Sequence, residues 1–326
     1  MQLSRRGFLS TGAAMGALWV MGGAGVLGAL GGCAAATPRT SKVAPGVTNV
    51  DLGAVRVTML SDGYGQRALD ANFVRNAPLA DVQAALREAG LSTETLTIPY
   101  TIPYVEVGGQ RVLFDVGNGE FGAATAGKLL QNLAAAGIDP KSITAVVFSH
   151  FHGDHINGLR NKAGALVFPN AKLYVPEPEW AWWMDDARMA AAPEAMKNAF
   201  AATRRVFASL AGTVQRFTPG NNVLPGVRSL AAFGHTPGHT AFLVEGGTRP
   251  FLFWGDTTNI AALFVRNPDW AVSFDMDAEK ARLVRRQLSD TAIRENWLVA
   301  GYHLPGSAVG TLAPRGKGYE FTPLGG

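Results

Sequence analysis

With 29 lysines and arginines against 25 acids, the 326-residue chain carries a formal net charge of only +4. No basic cluster concentrates that charge, so nucleic acid is not an expected partner. The content of 47% hydrophobic and 17% charged residues is that of a globular chain able to bury a sizeable core. The single cysteine, Cys33, lies near the N-terminus, which excludes an internal disulfide or a thiolate metal ligand in the body.

The first segment, "SRRGFLS" (Ser4 to Ser10), sets two arginines before Phe8 and Leu9. A weakly apolar Gly- and Ala-rich stretch follows and ends in "LGGC", Leu30 to Cys33. This pattern resembles a twin-arginine export signal with a lipoprotein processing box. Residues 1–32 are therefore expected to be a signal that delivers the protein to the periplasm. A lipid on Cys33 would be its only contact with the membrane. Residues 11–32 are long enough to span a bilayer, but their many glycines make a poor membrane helix. Loss of Arg5 and Arg6 with the signal lowers the formal charge to +2. Residues 33–50, including "ATPRTSKVAPGVTNV", are polar and turn-rich without periodicity and read as a tether. The folded domain is expected over 51–326.

Within that domain "VRVTML" reads as a strand, and "YTIPYVEVGGQRVLFDVGNG" as a hairpin turning at Gly108-Gly109. "AGKLLQNLAAAG" has helical spacing and stops at Gly137. "ITAVVF" (143–148) is a buried strand, 193–211 an Ala-rich helix, and 277–294 a second long helix. Further strands are expected over 227–233, 250–254 and 297–302. Four strands thus run into a loop that carries a candidate ligand, and strand-end loops on a rigid sheet are where active sites are commonly built.

The chain has six histidines: His150, His152, His155, His235, His239 and His303. Three of them crowd into "SHFHGDH", and the rest sit in "GHTPGH" and "GYH". Histidines that merely packed a core would not cluster so. Zinc favours imidazole nitrogen and carboxylate oxygen, and a catalytic site keeps one position open. His150 and His152, two residues apart as the chain leaves a strand, are able to share one ion. Asp154 and His155 follow in a turn and suit a second. His235, Asp256 and His303 end three later strands and supply the remaining ligands. Pro237 and Gly238 prevent His235 and His239 from sharing a helical face. His239 is accordingly read as a histidine that hydrogen-bonds the turn behind the ligands.

At this point the sequence resembles the metallo-β-lactamase-fold hydrolases. "HFHGDH" matches their H-x-H-x-D-H motif, and "GHTPGH", "WGD" and "GYHLP" match the later ligand segments in order. The resemblance implies an α/β fold, a four-layer αβ/βα sandwich of two mixed sheets flanked by helices, with metals at one edge. Carried over by position, His150, His152 and His235 would hold one ion and Asp154, His155 and His303 another, with Asp256 bridging both. Two divalent ions are implied, Zn2+ foremost, with Mn2+, Co2+ or Fe2+ also fitting. Asp62 and Asp115 match family positions near the metals, where they either support ligands or cap turns. "FGHTPGHT", "FPNAKLYV" and "GKGYEFTPL" resemble the branch that contains methyl parathion hydrolase and exported lactonases and arylesterases.

A bridging hydroxide, acidified from bulk water's pKa of ~15.7 towards about 7, would then attack a lactone, an aryl ester or an organophosphate triester. Asp256 and Asp154 are the catalytic carboxylates of this reading. Asp154 is chiefly a ligand, also placed to relay a proton to the leaving alkoxide. No G-x-S-x-G elbow offers a competing nucleophile. Asp256 argues against the β-lactamases, and Asp154 against flavodiiron sites. "GDTTN" lacks the tyrosine that well-known acyl-homoserine lactonases carry three residues beyond the bridging aspartate. An apolar substrate pocket is expected from Phe121, Trp180, Trp183 and Phe264, although tryptophan also buries well in cores. Alternatives from other classes are a glyoxalase-II-like thioesterase of the same fold and a non-catalytic metal-binding envelope lipoprotein. The resemblance leaves a homodimer open.

Arg5→Lys with Arg6→Lys is expected to trap an unprocessed precursor in the cytoplasm, scored by cell fractionation. Normal processing of the double variant would remove the twin-arginine reading.

Overall fold

The computed structural model describes residues 38–325. The segment expected to be a signal, 1–32, and Cys33 lie outside the described residues. Two sheets face each other. The first holds eight strands in sequence order: β1 (Arg39–Ala44), β2 (Val47–Leu52), β3 (Val55–Ala68), β4 (Thr95–Val107), β5 (Gln110–Phe114), β6 (Ala145–Val147), β7 (Lys172–Pro176) and β8 (Gln215–Phe217). The second holds seven: β9 (Asn222–Leu224), β10 (Val227–Ala231), β11 (Thr240–Val244), β12 (Phe251–Phe253), β13 (Leu298–Ala300), β14 (Val309–Arg315) and β15 (Gly318–Pro323).

Both sheets are mixed. The first is antiparallel from β1 to β5 and parallel from β5 to β8. In the second, only β12 and β13 run parallel. Parallel strands with both faces covered read as unbroken apolar runs, and "AVV", "FLF" and "LVA" are buried throughout. Across the sandwich Phe114 of β5 packs on Phe242 of β11 at 5.2 Å and on Phe253 of β12 at 5.7 Å between ring centres. This aromatic layer closes the core between the sheets.

The helices are α1 (Leu79–Glu88), α2 (Leu129–Ala135), α3 (Gly153–Ile156), α4 (Glu177–Trp183), α5 (Asp186–Ala191), α6 (Glu194–Phe207), α7 (Ala261–Phe264) and α8 (Ala278–Arg294). α2 lies on β3, α4 on β7, and α8 on β14, so each sheet carries helices on its outer face. The αβ/βα sandwich is therefore present. None of the described helices is long and apolar enough to cross a membrane. A smaller apolar cluster forms where α1 meets α7, around Phe73, Val82, Leu86 and Phe264.

One correction concerns the tether. Residues 39–52 include β1 and β2, which pair antiparallel with each other, and β2 pairs in turn with β3. Val47, Val50 and Leu52 alternate with exposed residues and are almost fully buried. Strand formation here depends on partners 3–13 residues away along the chain, and the polar residues that suggested a tether are the edge strand β1 and the outward positions of β2.

Leu52→Ala is expected to lower stability by about 2–5 kcal/mol, measured as a shift in denaturant midpoint. Little or no change would restore the tether reading.

Candidate metal centre

The site sits at the edge where β5, β6, β12 and β13 end. Just past the ends of β5 and β12 one more backbone bond is made, Asp115 N–H to the Val147 carbonyl and Trp254 N–H to the Ala300 carbonyl, before the chain leaves the sheet. Asp115 follows β5 in a left-handed conformation, φ 65°, rare for a residue with a side chain. Its amide N–H still donates to the Val147 carbonyl at 3.0 Å. The twist aims its carboxylate beneath the loop after β6. There Oδ1 accepts from the Ser149 amide at 2.8 Å, and Oδ2 accepts from Ser149 Oγ at 2.7 Å and from His155 Nδ1 at 2.8 Å. Ser149 Oγ lies 2.9 Å from His150 Nδ1, which donates to it. One buried carboxylate thus sets two imidazole rings.

The other imidazoles are held in the same way. His235 Nδ1 donates to Asp275 Oδ1 at 3.0 Å, and Asp275 Oδ2 accepts from Arg285 at 3.3 Å. Arg285 is itself buried on α8 and donates to the carbonyls of Thr257, Pro268 and Trp270. His303 Nδ1 donates to the Pro99 carbonyl at 2.8 Å. Tyr302 donates to the Asp154 carbonyl at 2.6 Å and lies 3.8 Å from the His155 ring.

With the rear nitrogens occupied, the front atoms converge. Donor atoms of His150, His152, His235 and Asp256 lie within 4.8 Å of one another, as do those of Asp154, His155 and His303. His152 Nδ1 and His235 Nε2 are 2.9 Å apart. Asp256 joins the two groups: Oδ2 is 3.3 Å from His235 Nε2 and 3.0 Å from His303 Nε2, and Oδ1 is 3.3 Å from His155 Nε2. His150 Nε2, His155 Nε2 and Asp256 Oδ1 are buried without a hydrogen-bond partner. An orphaned buried polar atom costs about 1–3 kcal/mol. Three such lone pairs aimed at one spot fit divalent cations, and nitrogen and carboxylate oxygen are the donors zinc prefers.

The electrostatics match a site built for cations. Burial, with neighbouring histidines, lowers the pKa of His150 and His152, so both offer lone pairs at neutral pH. Burial also acts against protonation of His155 and His235. The carboxylates of Asp256 and its neighbours outweigh it, raising both, His235 to about 9. Burial would raise Asp256, but His303 and His155 hold it well below the usual carboxylate range.

His239 does not join the cluster. It donates from Nδ1 to the Ala232 carbonyl at 2.9 Å and accepts at Nε2 from the Asp256 amide at 3.0 Å. Burial pushes it down to about 3, so the ring is neutral and both nitrogens are taken. It steadies the bend at Gly255, whose φ of 52° and close approach to the His239 ring leave no space for a side chain. Asp62 lies one layer further out. It accepts from the Asn118 amide and side chain and from the Leu129 amide, and so fixes the loop after β5 without reaching the cluster.

The ligand edge opens into a cavity of about 1220 Å3. His152, Asp154, His235, Asp256 and His303 form its floor, and Tyr100, Trp182, Trp183, Met196, Phe233 and Phe274 are among its walls. Trp183 borders the cavity from behind: its ring is 6.4 Å from that of His152, but it is almost wholly buried, packed on Phe200 at 4.8 Å, so the expected wall role is only partly met. The other expected wall residues need correction. Trp180 packs against Phe151 and Phe207 in the core. Trp182, two residues on, lines the cavity instead. Phe264 is fully buried against Phe73 in the small cluster. Phe121 is at the surface, with the Arg205 guanidinium 3.7 Å above its ring.

Two supporting residues escaped the sequence reading. Asp275 lies in a loop with no strand before it. Arg285 had a usable signal: it falls on the buried stripe of α8 with Ala281, Leu288 and Ala292, where an unpaired arginine is not tolerated.

An αβ/βα sandwich with a histidine and aspartate cluster at one sheet edge defines a class of metal-dependent hydrolases. The family profile of the metallo-beta-lactamase superfamily matches residues 103–301, and the chain belongs to that family. No curated protein matches it by sequence. Among solved structures it is similar to AidC, described as a dizinc quorum-quenching lactonase in complex with the product N-hexanoyl-L-homoserine. The TM-score there is 0.80 at 24% identity, over 85% of this chain and 97% of AidC. It is equally similar to the hydrolase AbOPH of the beta lactamase superfamily, with a TM-score of 0.79 at 24% identity, over 87% and 99% of the two chains. A probable metal-dependent hydrolase from Staphylococcus aureus gives 0.66 at 20% identity, over 78% and 91%. At these identities the likeness is one of fold.

Asp115→Ala is expected to weaken retention of metal about 10–100-fold, read by chelator competition, because it frees the rings of His150 and His155 together. Unchanged retention would reduce Asp115 to a turn residue.

Proposed function

We propose that this chain is a dinuclear metal hydrolase that opens lactones, with aryl esters and organophosphate triesters as further substrates of the same cavity. The observation that carries the proposal is the sharing of Asp256 between two donor groups on the floor of a largely apolar cavity. A structural metal needs only four closed ligands; seven donors, five of them on the floor of a cavity, exceed that requirement. His150, His152 and His235 would hold one ion, Asp154, His155 and His303 the other, and Asp256 both. Bound there, divalent ions supply Lewis acidity and acidify water.

The protein's own residues do the rest. Trp182, Phe233 and Phe274 bind the apolar part of the substrate and exclude water from it, with Trp183 packed behind them. Asp154 is the one carboxylate of the cluster with appreciable exposure, 26% of its side chain, and lies at the cavity floor. It is placed to take a proton and return it to the departing alkoxide oxygen. The solved relative with a bound acyl-homoserine product supports a lactone as first substrate, and the sequence resemblance to methyl parathion hydrolase supports the aryl and triester range. Export by the twin-arginine route to the periplasm belongs to the same proposal and suits a protein that acquires metal before crossing the membrane.

Elemental analysis of the purified protein is expected to give two divalent ions per chain. A panel of acyl-homoserine lactones, aliphatic lactones, aryl esters and a paraoxon-type triester is expected to show the highest kcat/KM on a lactone. Asp256→Ala should lose both ions and all turnover. Active protein with one ion or none would overturn the dinuclear reading, and turnover of esters without any lactone would overturn the substrate order.

A further inference from the structure

Glu179 lies on α4, its side chain fully buried, and no cation is bonded to it. Its four partners are all donors. Oε1 accepts from the Phe151 amide at 3.0 Å and from Trp183 Nε1 at 2.7 Å; Oε2 accepts from Thr236 Oγ1 at 2.8 Å and from the Gly238 amide at 2.7 Å. Phe151 stands between His150 and His152. Thr236 and Gly238 stand between His235 and His239. The carboxylate therefore ties the loop after β6 to the loop after β10, two segments more than eighty residues apart, at the point where His152 Nδ1 and His235 Nε2 come within 2.9 Å.

The packing around it is specific. A Cβ on Gly238 would lie 2.2 Å from the Glu179 backbone nitrogen. The helix and the loop can approach this closely only because position 238 has no side chain. Burying a carboxylate is costly unless every lone pair is met, and here four donors meet them. A glutamine of the same shape cannot replace it. Its amide NH2 has to face either the Phe151 and Trp183 N–H pair or the Thr236 and Gly238 pair, setting donor against donor.

We propose that Glu179 is a positioning residue that sets the first metal subsite, His150, His152 and His235, and couples it to the cavity wall through Trp183. It touches neither metal nor substrate. It acts by fixing the separation of two ligand loops and the tilt of one indole. The inference rests on the assignment of those three histidines to one ion. The second group, Asp154, His155 and His303, has its own supports in Asp115, Tyr302 and Pro99 and does not depend on Glu179.

The test compares wild type, Glu179→Gln, Thr236→Val and Leu133→Ala, all as full chains, with chelator competition and elemental analysis of each. Leu133 is fully buried on α2, away from the ligand loops, and serves as a control for stability alone. In Glu179→Gln one ion is expected to weaken about 10–100-fold, the range for loss of groups that orient ligands, while the other keeps wild-type affinity. The absorption spectrum of the cobalt-loaded variant should change, and Trp183 should shift the indole fluorescence. Thr236→Val removes one of the four donors and should weaken the same ion by roughly fivefold, the worth of one hydrogen bond. It stands in for Glu179→Gln if that variant does not fold. Leu133→Ala should lower Tm and keep both ions. Wild-type affinity for both ions in whichever of the Glu179 and Thr236 variants folds would overturn the proposal, as would equal metal loss in Leu133→Ala at equal Tm. A wild type that binds no metal would instead overturn the metal assignment itself.

Discussion

Everything at the centre depends on one constraint: an imidazole meant for a metal must have its other nitrogen bonded to protein. A free ring would rotate, and its rear N–H would be buried unpaired. Four of the five clustered imidazoles, all but His152, meet the requirement, each in a different way. His150 uses a serine hydroxyl, His155 a carboxylate, His235 a carboxylate backed by arginine, and His303 a backbone carbonyl. His239 marks the limit of the rule, because both its nitrogens are met by backbone and none is left to give.

The sandwich makes this possible by bringing strand ends together. Parallel neighbours β5 and β6 and the pair β12 and β13 stop at a common edge, so residues scattered from 115 to 303 meet within one small volume. The burial that strengthens each hydrogen bond also leaves the front lone pairs without water. Aligned donors of this kind are unstable alone and stable with cations among them. The cavity above them is lined by side chains from α4, α6 and the loops after β10 and before α8. The loop after β10 also carries His235, so the cluster and the cavity wall share that element.

Glu179 and Arg285 illustrate a second layer of the same logic. Each is charged, fully enclosed and bonded to several backbone groups from distant loops. Such residues are expensive to bury, and their retention at places where loops bearing ligands meet is the mark of a geometric role. Neither carries a strand-end or motif signature.

By itself the sequence determined the class of fold and which histidines and aspartates gather into one candidate ligand cluster. Histidine and aspartate at the ends of apolar strands, in that order, have few other physical uses, and a run such as "AVVFSH" states both the strand and its end. His239 was also legible, because Pro237 and Gly238 exclude a shared helical face. The tertiary structure alone decided the rest. β2 is polar on one side, and only its pairing with β3 shows that its other side is core, while β1 covers it as an exposed edge strand. Trp180, Trp182 and Trp183 are equivalent in composition, and the direction of α4 against Phe151 and Phe207 sorts core from wall. Asp115, Asp275 and Glu179 act through contacts 28 to 59 residues away along the chain, and no local pattern records a partner at that distance. Local periodicity encodes which face of an element is buried; what that face meets is set by packing.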